Sequence, residues 1–269
     1  GGFFMTFEMS FLIIGLVEIF SHFVLGCTGF GATVIAAPVV NGLLGTQAGV
    51  PYGTLITTPM LYIIAIKGIK NIAWKDFFKI ILFCAPGMAL GNFLFYRLDA
   101  NVAKICIGGM VLFIAVMNLY KCMVKPMIQK KKGQVAAAEE DGDTMRKKLL
   151  RYGCLLLGGA VHGAFTIGGP LITVYTIEAV KEKEKFRDTM GMVWVILNTI
   201  NVITQVKNGV YTPYVWSALA IGFPMALIGF FAGMWFLKRI KRESFLKMIY
   251  LVLLVVGGDM FFRSLAVFL

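Results

Sequence analysis

Apolar runs of roughly 17–25 residues, each closed by a short charged loop, recur along this chain from end to end. A segment of that length crosses a hydrocarbon layer about 30 Å thick as an α-helix, which satisfies its own backbone where no water is present. Transmembrane strands would read instead as alternating segments of about 10 residues, and that alternation is missing. With 58% of its 269 residues hydrophobic and a mean hydropathy of +0.80, the chain carries more apolar surface than a soluble domain of this length buries in one core. The expected fold is an all-α polytopic protein of a cell (plasma or inner) membrane, with the lipid bilayer as a partner.

The net charge of +12 does not point to nucleic acid. The Lys and Arg residues lie in loops between apolar runs rather than on a basic stripe with interleaved aromatics, and positive loops of this kind set membrane topology. The five cysteines, Cys27, Cys84, Cys106, Cys122 and Cys154, sit in or beside apolar segments without CxxC or Cys/His spacing. They read as reduced packing residues, and no metal or cofactor is expected. The first apolar run has no basic region before it and continues into the body of the chain, so it does not read as a cleavable signal peptide.

The order of elements divides the chain into an N-terminal repeat at 5–120, a charged linker at 121–148 and a C-terminal repeat at 149–269, all within one membrane domain. Apolar stretches fall at 7–44, 51–66, 77–96 and 102–120, then at 149–167, 171–180, 189–206, 213–237 and 245–268. Landmark residues keep step between the halves: Gly31 with Gly168 (168 − 31 = 137), Pro86 and Gly91 with Pro224 and Gly229 (138), and Asn118 with Asp259 (259 − 118 = 141). An ordered series of this kind is the mark of an internal repeat.

Loop charge orients the two halves. The 45–50 loop has no Lys or Arg, whereas Lys67, Lys70, Lys75 and Lys79 fill the next. In the second half the order reverses, with Lys181, Lys183, Lys185 and Arg187 in the first loop and Lys207 alone in the second. The positive-inside rule then places the linker in the cytoplasm and both termini outside, which makes the repeats inverted. Stretches 7–44 and 149–180 must each leave and return on one side. Each half is thus a broken-helix hairpin plus three transmembrane helices, for 8–10 membrane helices in total.

The hairpins break at Gly26-Cys27-Thr28-Gly29-Phe30-Gly31, followed by Pro38, and at Gly163-Ala164-Phe165-Thr166-Ile167-Gly168-Gly169-Pro170. Glycines and prolines at such a depth release N–H and C=O groups that need a new partner. Successive free N–H groups at a helix start favour an anion, and interrupted helices of inverted repeats are where transporters hold their substrates. The substrate-binding candidates are Gly26, Thr28, Gly29, Phe30, Gly31 and Thr33 at the first break, with His162, Gly163, Thr166, Gly168, Gly169 and Thr173 at the second. The same residue types also serve close helix packing. Glu18 and His22, four apart on one helix face, are candidates for proton coupling or for a structural pair. Asn198 leads a polar stripe with Asn201, Thr204 and Gln205 and joins the substrate-binding candidates. Arg187, ending a basic loop, reads as a topology charge, or as a partner of the substrate if its loop dips inward.

The pattern Gly26-x-x-Gly29-Phe30-Gly31 with Pro38, the second break, and Phe186-Arg187-Asp188-Thr189 leading into a helix with Asn198 resembles the TauE/SafE family, the sulfite exporter or toluene-sulfonate uptake permeases. The likeness covers nearly the whole chain in the order of its elements. The first break usually carries a run of glycines in that family, whereas here Ala32-Thr33 follows Gly31. The resemblance implies secondary transport of a small sulfur-containing anion such as sulfite or an organosulfonate. Combined with the repeats, it predicts alternating access, with H+ as a candidate coupling ion. An anion channel, or a uniporter of another small carboxylate or sulfur oxyanion, would use the same breaks. An enzyme is not expected, since HExxH, GxSxG, clustered aspartates and Cys/His sets are missing.

Overall fold

The computed structural model describes residues 9–94, 100–120, 145–165 and 168–267. Among them are ten α-helices: α1 Met9–Thr28, α2 Ala32–Leu44, α3 Thr46–Gly68, α4 Trp74–Leu94, α5 Ala100–Leu119, α6 Met145–Phe165, α7 Gly169–Ala179, α8 Lys183–Lys207, α9 Pro213–Arg239 and α10 Arg242–Leu265. A 3-10 turn, Ile69–Asn71, follows α3. The chain is an all-helical, multi-pass membrane protein. Among the described residues five helices are long and apolar enough to cross a membrane: α1, α3 with its 3-10 turn, α8, α9 and α10.

Each half contributes five helices in matching order, and in both the second is short. With 13 residues in α2 and 11 in α7, these arms measure about 20 Å and 16 Å at 1.5 Å per residue, less than the hydrocarbon thickness of about 30 Å. The hairpins therefore have one long and one partial arm. α6 begins at Met145, within the stretch 121–148 that reads as the charged linker. The linker residues 121–144 lie outside the described residues.

The helices pack into two compact units that interleave the halves. One comprises Gly1–Phe77 with Val180–Ile240, and therefore holds α1, α2, α3, α8 and α9. In it, α1 lies along α9 at backbone contact. A Cβ at Gly26 would strike the Phe230 carbonyl oxygen, one at Gly229 the Ile19 carbonyl, and one at Gly233 the Phe23 carbonyl. Small residues permit this approach, and the Cys27 thiol donates to the Gly233 carbonyl at 3.2 Å. α3 runs against α8, with Tyr62 and Thr199 hydroxyls 2.8 Å apart and Gln205 Nε2 3.3 Å from Thr54 Oγ1.

The other unit comprises Phe78–Ala179 with Lys241–Leu269 and holds most of α4 together with α5, α6, α7 and α10. Here α6 lies along α4: Gly87 faces the Leu156 carbonyl, Gly159 faces the Cys84 backbone, and the Phe83 and Tyr152 rings stack at 4.7 Å. α5 meets α10 through Gly108 and Gly257, where a Cβ at Gly257 would come within 2.9 Å of the Leu112 nitrogen.

These partnerships follow one rule. The first helix of each half packs on the fourth of the other (α1 with α9, α6 with α4), third packs on third (α3 with α8), and fifth on fifth (α5 with α10). Large apolar side chains that stay exposed, such as Leu16, Phe20, Phe78, Leu82, Ile228 and Phe262, give the helices the outer surface that lipid requires.

The close glycine contacts carry a direct prediction. Gly229→Ala should lower the unfolding midpoint in detergent, because a methyl group there meets backbone and overpacking costs about 1–3 kcal/mol. Gly42, in α2, has open space where its Cβ would be. Gly42→Ala should be neutral or stabilising by up to about 1 kcal/mol. Equal losses in the two variants would contradict the close approach of α1 and α9.

Candidate anion site at the helix breaks

α1 stops where Gly29 and Gly31 take φ values of 77° and 94°, in a region that costs a side-chain-bearing residue about 1–2 kcal/mol. The Gly29 N–H closes the last turn on the Leu25 carbonyl at 2.7 Å. Thr28 then serves the backbone. Its hydroxyl lies 2.8 Å from both the Val24 and Phe30 carbonyl oxygens, either of which takes its proton, and accepts the Phe30 N–H at 3.3 Å. Thr28 thus holds the break together, and its proton is committed in this conformation.

α2 starts with Gly31 as its N-cap, which has no side chain to offer. The first helical bond is Ile35 N–H to the Gly31 carbonyl at 3.0 Å. The N–H groups of Ala32, Thr33 and Val34 precede it and have no i→i−4 acceptor. They end a helix whose dipole favours negative charge. Thr33 is exposed beside them, its hydroxyl 3.3 Å from that of Thr57.

The wall of this break is the start of α8. A Cβ at Gly29 would strike the Arg187 carbonyl oxygen, and the Phe30 ring packs edge-on to Phe186 at 6.4 Å. Arg187 is only 6% exposed and Asp188 and Thr189 are fully buried, so Arg187 is not the solvated topology charge that its loop suggests. α8 begins at Lys183, which places Arg187 one turn inside the helix. Lys183 anchors that turn by donating to the Leu237 and Ile240 carbonyls at the end of α9. Arg187 Nε donates to Asp188 Oδ1 at 2.7 Å, and Nη2 lies 2.5 Å from the same oxygen. Asn71 Nδ2 donates to Asp188 Oδ2 at 3.1 Å, and the Thr189 hydroxyl accepts the Ala73 N–H at 2.9 Å.

Glu18, Ser21 and His22 form a second buried group on α1. Ser21 donates to Glu18 Oε2 at 2.6 Å, and His22 Nδ1 lies 2.8 Å from the same oxygen. His22 Nδ1 is also 3.1 Å from the Ser21 hydroxyl and from the Glu18 carbonyl. His22 Nε2 is buried with no hydrogen-bond partner among the described residues, as is the Tyr52 hydroxyl on α3.

The second break lies in the other unit. α6 ends at Phe165 and α7 starts at Gly169, with Gly168 against the Gly158 carbonyl and His162. Thr173 donates to the Gly169 carbonyl at 2.9 Å, so its proton is also committed. His162 is buried on α6 and Gly163 follows it in the helix. Thr166 lies outside the described residues.

The first unit therefore gathers Glu18, His22, Gly26, Thr28, Gly29, Phe30, Gly31, Thr33 and Asn198. Asn198 does not join the break: it stands 11 residues along α8 from Arg187, about 16 Å at helical rise. The residues not singled out in the sequence are Ser21, Tyr52 and Asn71. Ser21 had a usable signal, three polar residues within five positions of an apolar run.

A model of the sulfite exporter TauE/SafE family matches residues 13–260. The chain belongs to this family. Neither a curated protein nor a solved structure matches the chain. TauE/SafE proteins are membrane transporters rather than enzymes, and membership carries the sulfite- and sulfonate-related transport class to this chain.

Proposed function

We propose that this TauE/SafE protein is a secondary active transporter of a small anion, sulfite or an organosulfonate, working by alternating access of two inverted repeats. The observation that carries the proposal is the first break. An apolar hairpin is interrupted by two left-handed glycines, and the helix that follows starts with N–H groups no side chain caps. Donors of that kind, at the start of a helix dipole, suit an oxyanion.

The exchange of partners between the halves supports the inverted arrangement, because a twofold relation between copies of one motif requires that i meeting j be matched by j meeting i. Loop charge supports a cytoplasmic linker and outer termini. Proton coupling is assigned to Glu18, Ser21 and His22. His22 Nδ1 and the Ser21 hydroxyl meet at one buried Glu18 oxygen, and a buried acid and imidazole in contact suit proton coupling.

Sulfite flux into proteoliposomes, with and without an imposed pH gradient, tests this reading. Saturable uptake that accumulates sulfite when a gradient is present is expected. Flux that rises linearly with sulfite and ignores the gradient would replace the transporter with an anion channel.

A further inference from the structure

We propose that the basic end of α9, with Lys67 of α3 beside it, binds the headgroup of an anionic phospholipid. The site is independent of the anion carried and uses residues that neither glycine-rich break contains.

The outer face of α9 is apolar. Ile228, Phe231 and Trp235 recur at spacings of three and four, exposed by 64%, 46% and 56%. The stripe ends in an indole, a side chain favoured where hydrocarbon gives way to headgroups. Arg239, the last residue of the helix, lies one further turn along the same face. Its guanidinium folds back over that indole, 3.5 Å from the ring centroid. Stacking occupies the face of the cation and leaves the in-plane N–H donors at its edge free. Among the described residues no carboxylate pairs with it.

α3 supplies the second cation. Lys67, in its last turn, is exposed, and Nζ sits 5.5 Å from the centroid of Phe231, one turn before Trp235. It too has no carboxylate partner among the described residues. Two cations from two helices thus lie over successive rings of one lipid-facing stripe, rings about 6 Å of helical rise apart.

Two ordinary uses of such charges do not account for this placement. Lys183 already takes the Leu237 and Ile240 carbonyls at the end of α9, so Arg239 is not needed to cap the helix dipole. A charge that only sets topology needs no particular neighbour, whereas Arg239 and Lys67 are drawn back over aromatic rings at the edge of the apolar face. Charge complementarity selects the occupant, a phosphodiester whose phosphate meets both cations and whose acyl chains lie along Ile228 and Phe231. Neither α3 nor α9 contains an acidic residue to receive a choline or ethanolamine cation, so a lipid of net negative charge fits better than a zwitterionic one.

The test uses the purified protein in detergent with phosphatidylglycerol, phosphatidylcholine of the same acyl chains, and inorganic phosphate. Native mass spectrometry measures retained lipid and its Kd, and the thermal midpoint reports stabilisation by binding. Wild type should bind phosphatidylglycerol more tightly than phosphatidylcholine and gain stability from it, with no gain from inorganic phosphate. Lys67→Gln/Arg239→Gln should weaken phosphatidylglycerol binding roughly 10- to 50-fold, the loss of two surface cations, with the lipid-free midpoint unchanged. Lys207→Gln removes an exposed cation at the far end of α8, 24 residues from Lys183 (207 − 183 = 24), and should keep wild-type affinity. Equal binding of the two lipids, wild-type affinity in the double variant, or an equal loss in Lys207→Gln would overturn the site and leave charges that act on topology alone. The same stabilisation by inorganic phosphate would overturn the lipid as occupant. If the double variant is not recovered folded, Trp235→Leu decides. It keeps both charges but removes the surface under the guanidinium, and should weaken phosphatidylglycerol binding about 3- to 10-fold; unchanged affinity would overturn the site.

Discussion

Replacing Gly29 with alanine is expected to cost about 2–5 kcal/mol, enough to leave little folded protein after extraction. Two penalties meet at this position. The φ of 77° places any side chain in the left-handed region, at about 1–2 kcal/mol. The added methyl also meets the Arg187 carbonyl and, at 3.2 Å, the Gly191 nitrogen, both backbone, so overpacking adds about 1–3 kcal/mol. Gly209 separates the two. Its φ is 64°, but nothing lies near its Cβ position, and Gly209→Ala should show the conformational penalty alone. Thermal midpoints of the two variants measure the difference, and equal losses would remove the contact between the break and α8.

The second large effect is expected at Glu18. Glu18→Leu removes the acceptor shared by Ser21 and His22 and breaks a buried pair, at about 3–5 kcal/mol. Glu18→Gln keeps an acceptor oxygen and similar volume but cannot carry the charge. It should fold, bind sulfite and exchange it across the membrane, yet fail to accumulate it against a concentration gradient when a pH gradient is imposed. Accumulation at the wild-type level would place the coupling step elsewhere than Glu18 and His22.

The helices were legible because lipid leaves a spanning segment few options, and runs of apolar residues announce it. Hairpin length was not. The stretch at 7–44 reads as nearly forty apolar residues, and only Gly29 and Gly31 in left-handed geometry, followed by an α2 of 13 residues, reveal a partial second arm. The candidate site was legible in its glycines but not in its hydroxyls. Thr28 and Thr173 carry the right group, yet both spend their protons on nearby carbonyls, a fact of local geometry that residue type does not encode. Arg187 was read first as a topology charge because Lys181, Lys183 and Lys185 precede it. A basic loop looks uniform until the helix start is fixed at Lys183 and the last charge turns inward. Asn198 was read from residue type alone, which does not encode how far along α8 it stands from the break. The exchange of partners between the halves depends on contacts far apart in sequence, which periodicity does not carry.

The most direct test of the central claim, that the first break holds an anion, is the thermal midpoint of purified wild-type and Gly31→Leu protein across a sulfite series. Gly31 is the left-handed N-cap of α2, so leucine there covers the free N–H groups, and the midpoint without sulfite reports the separate cost to the fold. Wild-type stability should rise with sulfite as RT ln(1 + [L]/Kd), and the variant should show no rise. An undiminished rise in Gly31→Leu would contradict the account and put the anion somewhere other than this break.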